Sequence, residues 1–220
     1  GVIGGIDPVV EDGLVFYIDA ANNTSYPGSG TTVTNLLDTN TGTMSGTTFS
    51  SANFGCFNFD GNSDQIDFSS FPDVNSTWTV ELWLRTSTTN YITALQVSDS
   101  GTTGTNDATV IVNKHPGGAS AVWGFYDGAS VVEGSSLNTN NTWYHCVVTL
   151  TGTTYTLYLN GSQDGSGTGT ARNIVDLLIG RRSYSGFYYN GDISNVKIYS
   201  KKLEASEVLQ NYNALKDRFV

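Results

Sequence analysis

The stretch "TWTVELWLRT", residues 77–86, alternates without interruption. Trp78, Val80, Leu82 and Leu84 fall on one side of an extended chain, and Thr79, Glu81, Trp83 and Arg85 on the other. A period of two held over this length predicts a strand with its apolar side in a core. The same reading extends in both directions. Upstream lie "LVFYIDA" (14–20), "CFNFDG" (56–61) and "QIDFSS" (65–70), the last two flanking a turn at Gly61-Asn62-Ser63-Asp64. Downstream lie "YITALQV" (91–97), "DATVIVNK" (107–114), "SAVWGFYDG" (120–128) and "SVVEG" (130–134). "TWYHCVVTL" (142–150) and "TYTLYLNG" (154–161) form a hairpin around Thr151-Gly152-Thr153, and "NIVDLLIG" (173–180) and "GDISNVKIYS" (191–200) complete the set. Segment 22–55 is polar and turn-rich and reads as a wrap around a sheet edge holding a short strand or two. Many short strands with frequent turn residues and no repeat predict an all-β fold of two packed antiparallel sheets.

The chain closes on a different pattern. Val208, Tyr212, Leu215 and Phe219 fall at helical spacing and predict one amphipathic helix lying on the sandwich. Glu204 and Glu207 at its start and Lys216 and Arg218 at its end match the helix dipole. At the other terminus, residues 1–12 hold Gly, Pro and scattered Val and Ile and read as an arm that docks on a neighbouring chain, leaving residues 13–220 as the domain. The chain starts at Gly1 rather than Met, so it reads as a processed form or a fragment.

Composition narrows the partners. Of 220 residues, 38% are hydrophobic and 14% charged, with a net charge of −10. Four Trp, twelve Tyr and ten Phe provide enough apolar mass for a large core. Nucleic acid and anionic membranes call for basic clusters, which an acidic chain does not offer. No apolar run approaches the length of a membrane span.

Catalytic chemistry finds little support. Glycoside hydrolysis needs two facing carboxylates. The five Glu are Glu11, Glu81, Glu133, Glu204 and Glu207; Glu81 stands alone on its strand and Glu204 and Glu207 belong to the helix. Asp67 has no local partner. His145 reads as a packed strand residue and His115 as part of a turn, so the chain is expected not to be an enzyme. Cys56 and Cys146 alternate onto different sides of their strands, and both are expected to be free. Asp60, Asn62 and Asp64 are weak calcium candidates, since oxygen donors in a tight turn suit Ca2+, and Asp99 and Asp107 form a second polar stretch. The better candidate is a binding surface. "GRRSYSGFYYN" (180–190) gathers Arg181, Arg182, Tyr184, Phe187, Tyr188 and Tyr189 in one loop, and Trp123 adds an indole nearby in chain order. Arg offers a planar fork of donors and Tyr a stacking face, which suits a sugar bearing a carboxylate or sulfate. Neighbouring residues point to opposite sides, so one arginine is expected to reach a ligand while the other is engaged locally.

Taken in order, "GLVFYIDAANNTSYPGSG", "FNFDGNSDQIDF", "WTVELWLRT", "WYHCVVTLTGTTYTLYLNG" and "LLIGRRSYSGFYYNGDISNVKIYSKKLEASEVLQNYNALK" resemble the laminin-G-like, concanavalin-A-like lectin/glucanase sandwich domains, in the versions found in bacteriophage virion proteins and bacterial secreted proteins. The resemblance implies an antiparallel jelly roll with a short C-terminal helix. It implies a structural role for Asp192 in a turn. It also places Cys146 where pentraxin relatives carry a disulfide cysteine, with the partner position at Glu81, so that bridge is absent. Family members often open the final helix with Ser or Thr three residues before Glu; Glu204 stands there, and a broken capping box is expected. The implied function is a non-catalytic virion surface domain, a decoration or fibre module that contacts other virion proteins through the arm and binds host-surface carbohydrate. The rival is a carbohydrate-binding module of a secreted or cell-surface bacterial protein. A purely structural module held as an oligomer is a third reading.

Overall fold

The computed structural model of the chain describes residues 8–68, 71, 73–88, 90–98, 107–112, 122–135, 137, 141–183 and 187–219. The strands run β1 (Leu14–Asp19), β2 (Thr32–Thr34), β3 (Thr41–Ser45), β4 (Thr48–Ser50), β5 (Cys56–Asp60), β6 (Gln65–Phe68), β7 (Thr77–Arg85) and β8 (Ile92–Ser98). They continue with β9 (Asp107–Val112), β10 (Gly124–Tyr126), β11 (Val131–Glu133), β12 (Tyr144–Thr151), β13 (Thr154–Leu159), β14 (Ser162–Thr168), β15 (Asp176–Ile179) and β16 (Asn190–Tyr199). Helix α1 (Ala205–Leu215) follows, with short 3-10 turns at Ala52–Phe54 and Lys216–Arg218.

Among the described residues the strands form two eight-stranded antiparallel sheets. The first runs β14-β13-β12-β7-β16-β5-β4, with β1 also paired to β16, and the second runs β11-β10-β9-β8-β15-β6-β3-β2. The inner faces meet in one core. Trp78, Val80, Leu82 and Leu84 from β7 meet Phe57 and Phe59, Cys146 and Val148, and from the opposite sheet Ile66, Phe68, Leu177 and Ile179. The expected antiparallel sandwich with a terminal helix is therefore the observed architecture. Segment 22–55 carries three short strands rather than one or two. Strand β14 was missed altogether, because "SQDGSGT" has no apolar alternation and forms only by pairing with β13.

The alternation of β7 predicts one buried face, yet both faces are buried. The outer face of the first sheet is covered twice. Val10, Leu203 and Val208 pack on Val147, Tyr158 and Tyr199. Tyr212, Leu215 and Phe219 pack on Cys56, Trp83 and Trp143, with the Phe219 ring stacked 4.3 Å from Trp83. Of the expected arm, residues 1–7 lie outside the described residues, and residues 8–12 are bonded to this chain's own sandwich and helix. The Val10 amide donates to Asn211 Oδ1 at 2.7 Å, Gln210 Nε2 donates to the Pro8 carbonyl at 2.7 Å, and Lys201 Nζ meets Asp12 at 2.6 Å. Their valines had a groove beside α1 to fill, which local sequence does not reveal. The expected broken cap is also corrected. Glu204 is the N-cap, and its amide donates to the Glu207 carboxylate at 2.9 Å, so the return half of a capping box forms without Ser or Thr.

Beneath this cover lies a buried polar cluster. Register places Lys197 of β16 directly across from Glu81 of β7, and Lys197 Nζ donates to Glu81 Oε1 at 2.6 Å. Asn211 Nδ2 reaches down from α1 to Glu81 Oε2 at 2.6 Å and to the Tyr199 hydroxyl at 2.9 Å. His145 Nε2 lies 3.2 Å from Glu81 Oε1, and Glu81, Lys197, His145, Asn211 and Tyr199 are all sealed from solvent at 0% exposure. Burial alone raises the Glu81 carboxyl, but the Lys197 charge and the adjacent His145 ring outweigh it and hold the group well below the ordinary carboxylate range. Among the described residues no helix is long and apolar enough to cross a membrane.

Leu82→Ala should lose about 2–5 kcal/mol in denaturant unfolding, as a cavity at the centre of the inter-sheet core; a loss under about 1 kcal/mol would contradict that placement. Lys197→Met should lose about 3–5 kcal/mol, since it leaves Glu81 buried without its cation. The depressed Glu81 pKa stabilises the fold above the unfolded value near 4.5, and that contribution drains away as pH falls below it. An acid melt of Glu81→Gln should accordingly be flatter below pH 4.5 than that of the parent.

Candidate functional site

The outer face of the second sheet is built differently. In β6, Ile66 and Phe68 enter the core, so Asp67 faces out. By the same alternation β15 presents Leu178, β8 presents Gln96 and Thr93, β9 presents Thr109, and β10 presents Tyr126. Register brings Asp67 opposite both Leu178 and Thr43.

The loop after β15 folds over this face. Gly180 starts it with φ +92°, a left-handed conformation, and a Cβ there would collide with the Phe59 ring. The Ser183 amide donates to Gln96 Oε1 at 2.6 Å, and Gln96 Nε2 donates back to the Ser183 hydroxyl at 3.2 Å. The Phe187 carbonyl accepts from the Thr93 amide at 3.2 Å, and the Phe187 ring sits edge-on to Tyr91 at 4.5 Å. Tyr189 then dives into the core, where its hydroxyl donates to the Arg85 carbonyl at 2.8 Å. The loop is thus tied at one end to the second sheet and at the other to the first.

Both arginines stack on tyrosines. The Arg181 guanidinium lies 5.4 Å from the Tyr188 ring centre and that of Arg182 lies 5.0 Å from Tyr126. Arg181 also bonds to the carbonyls of Arg182 and Ser183, at 3.2 and 3.3 Å. Burial raises the Asp67 carboxyl above its ordinary value, and the charge of Arg181 holds part of that rise back. Asp67 Oδ1 and Thr109 Oγ1 are buried and have no hydrogen-bond partner among the described residues.

The structure brings Arg181 onto Tyr188 but turns Arg182 to Tyr126, and Tyr184 lies outside the described residues. Trp123 is corrected as a ligand candidate. It is fully buried in the inter-sheet core and its indole N–H donates to Asp164 Oδ2 at 2.7 Å, so no face is open to a ligand. The weak calcium candidates turn inward on their own loop: Asp64 Oδ2 accepts from the Asp60 amide at 2.8 Å and Asp60 Oδ1 from the Asn62 amide at 2.8 Å. These are turn bonds, and among the described residues no group of three His, Cys, Asp or Glu side chains converges to hold a metal. Asp99 and His115 lie outside the described residues. Asp192 is structural, though within β16 rather than in a turn; it accepts from Arg85 Nε at 2.6 Å and Asn58 Nδ2 at 2.9 Å. Cys56 and Cys146 are both free and buried, on opposite faces of the first sheet. Asp67, Gln96 and Tyr126 were missed. Alternation in "QIDF" turns Asp67 outward, but only register shows what stands beside it.

The family described as the concanavalin A-like lectin/glucanases superfamily matches residues 60–209, more than half of the chain. The chain belongs to this superfamily. Solved structures share the lectin-like fold at low identity. A Trypanosoma rangeli sialidase in complex with the inhibitor DANA superposes with a TM-score of 0.70 at 14% identity, covering 99% of this chain and 36% of the sialidase. This domain thus spans about a third of that enzyme. Domain 4 of AbnA, an extracellular arabinanase from Geobacillus stearothermophilus in complex with arabinotriose, gives 0.69 at 16% identity, over 92% of this chain and 100% of that one. The receptor-binding domain of botulinum neurotoxin type G gives 0.64 at 15%, over 91% of this chain and 51% of that one. No curated protein matches the chain.

If Gln96 anchors the loop of this lectin-like domain, Gln96→Ala should speed hydrogen exchange at the Ser183 amide by about tenfold, the equivalent of one lost hydrogen bond. Exchange unchanged from the parent would show that the loop is held by other contacts.

Proposed function

We propose that this chain is a non-catalytic carbohydrate-binding domain whose ligand sits on the outer face of the second sheet, beside Arg181, Tyr188 and Asp67. The observation that carries this reading is that Asp67 Oδ1 and Thr109 Oγ1, buried and without a hydrogen-bond partner among the described residues, lie on the same face as an arginine stacked on a tyrosine. A sugar ring offers hydroxyls to the acceptors and a C–H face to the tyrosine. Residues 8–12 and α1 both occupy the opposite side of the sandwich, so this face points away from them. Fold neighbours in complex with sugars, such as the arabinanase domain with arabinotriose, add weight to the class of ligand.

A glycosidase role has weaker support. Glu81 is sealed against Lys197, and Glu207 is tied to Lys201 at 2.8 Å. Asp176 shares the outer face with Asp67 but is 6% exposed and lies two residues along β15 from Leu178, the cross-strand partner of Asp67.

In its finer form the proposal places the domain on the surface of a bacteriophage virion, as a decoration or fibre module that helps attach the particle to its host. The resemblance of its motifs to virion versions of this fold motivates that setting. The second reading, a binding module of a secreted or cell-surface bacterial protein, is favoured by the arabinanase domain, which the fold matches over its whole length.

An array of neutral, carboxylated and sulfated glycans tests the ligand class. Arg181→Ala should weaken the bound glycan by roughly ten- to a hundredfold, as expected for a hydrogen bond to a charged group. Tyr188→Ala should weaken it further, and the glycan should be recovered uncleaved. Unchanged binding by both folded variants would move the site elsewhere, and release of new reducing ends would make Asp67 and Asp176 the residues to mutate next.

A further inference from the structure

Lys197 is fully buried, whereas Lys201 and Lys202 keep 28% and 36% of their side-chain surface in water. Its Nζ lies 2.6 Å from Glu81 Oε1, and the other oxygen of that carboxylate accepts from Asn211 Nδ2, also at 2.6 Å. One carboxylate therefore holds an amine from β16 and a primary amide from α1 at the same time. The amide is fixed at both ends. Its Nδ2 also donates to the Tyr199 hydroxyl at 2.9 Å, and its Oδ1 accepts from the Val10 amide at 2.7 Å. A donor on the second Glu81 oxygen is what a buried carboxylate requires. A backbone N–H on the amide carbonyl goes further, because negative charge develops on that oxygen when a nucleophile attacks.

Aromatic rings wall the cluster in. The Tyr17 ring centre is 5.0 Å from Lys197 Nζ. The His145 ring beside Glu81 lies 5.2 Å from that of Trp83 and 5.8 Å from that of Tyr212. Lys197, Glu81 and Asn211 have no exposed surface, so water does not compete for an activated carbonyl.

We propose that Lys197 and Asn211 become joined by an amide bond between their side chains, with Glu81 carrying the proton, so that α1 is covalently fastened to β16. The step needs only atoms already in the cluster. Glu81 takes one proton from Nζ along their hydrogen bond and frees its lone pair. Nζ attacks Asn211 Cγ, and the charge gathering on Oδ1 meets the Val10 N–H. A second proton passes from Nζ to Nδ2, the Cγ–Nδ2 bond breaks, and ammonia leaves. Nζ keeps its third proton in the new amide, and Glu81 keeps the one it took. Nothing is oxidised or reduced. A buried ion pair is exchanged for a neutral amide and a neutral carboxylic acid, which removes two desolvated charges, and the escape of ammonia makes the exchange one-way. The charged pair is the form that precedes the bond, and the pH and stability effects of Lys197 and Glu81 belong to it. Both cysteines of the chain are free, so no disulfide secures the helix. A tie between residues 197 and 211 would restrain the unfolded chain as a disulfide does. The inference is independent of the carbohydrate reading, since its strand residues belong to the first sheet.

The test is the intact mass of the whole folded chain, freshly purified and after storage at neutral pH, followed by peptide mapping of the denatured protein. The parent should be lighter than its sequence by one ammonia, and a branched peptide should join Lys197 to Asn211. Lys197→Arg keeps a cation beside Glu81 but removes the nucleophile, and Glu81→Gln cannot carry the proton; both should keep the full mass. A folded parent at full mass throughout storage would overturn the proposal, whatever the variants do. So would ammonia loss without the branched peptide, as from Asn160 or Asn190, where a following glycine lets the backbone close on the side chain. A link to Asn195, whose Oδ1 lies 3.4 Å from Nζ, would overturn the choice of partner. A link that persists in Glu81→Gln would overturn the part given to Glu81.

Discussion

A lysine and a glutamate face each other across two neighbouring strands, both out of reach of water, and the arrangement of the whole first sheet follows from keeping them that way. Lys197 and Glu81 lie 2.6 Å apart with no exposed side-chain surface. Either charge alone would be very costly to desolvate, and the pair repays that cost only with close geometry and further bonds to the remaining oxygen. Asn211 supplies the bond, and Asn211 belongs to α1. The helix cannot slide along the sheet by one residue without leaving Glu81 half-satisfied. Because Asn211 also accepts the Val10 amide, one side chain fastens helix, N-terminal segment and sheet together. The apolar contacts of Trp83 with Tyr212 and Phe219 give this cover its adhesion, and the polar cluster gives it a register.

Closing one side of the sandwich in this way divides its labour. The outer face of the first sheet holds a second core around Tyr199, Val208 and Trp83, while the edge strand β14 stays largely exposed. Among the described residues no helix covers the outer face of the second sheet. It is roofed in part by the loop between β15 and β16, which crosses from one sheet to the other and is pinned at Gln96, Thr93 and Arg85. A loop anchored on a rigid scaffold at several points can present side chains at fixed positions, which is the common design of binding sites on β-sandwiches. Arg181 and Tyr188 are held in that way.

The legibility of these features differed with their physical origin. Alternation in residues 77–86 was enough for the inner face of β7, because the period of a strand is a local property. The stripe of α1 was readable for the same reason. The outer face of β7 was not. Glu81 and Trp83 look like ordinary solvent-facing residues, and nothing within ten positions shows that Lys197 or Phe219 will cover them. Trp123 looked like a candidate platform by type, yet its partner Asp164 lies on a distant strand. Asp67 looked isolated, since its neighbours Leu178 and Thr43 come from register alone.

By itself the sequence determined an antiparallel sandwich, its core-facing strand residues, a terminal amphipathic helix, two unbridged cysteines and a loop rich in Arg and Tyr. These follow from periodicity and residue chemistry, which act over a few positions. The tertiary structure decided which outer face is sealed, that residues 8–12 belong to the domain, and which side chains share a surface. Those outcomes depend on pairing between segments more than a hundred residues apart, such as Glu81 with Lys197, and on the cost of leaving a buried charge or amide without its partner.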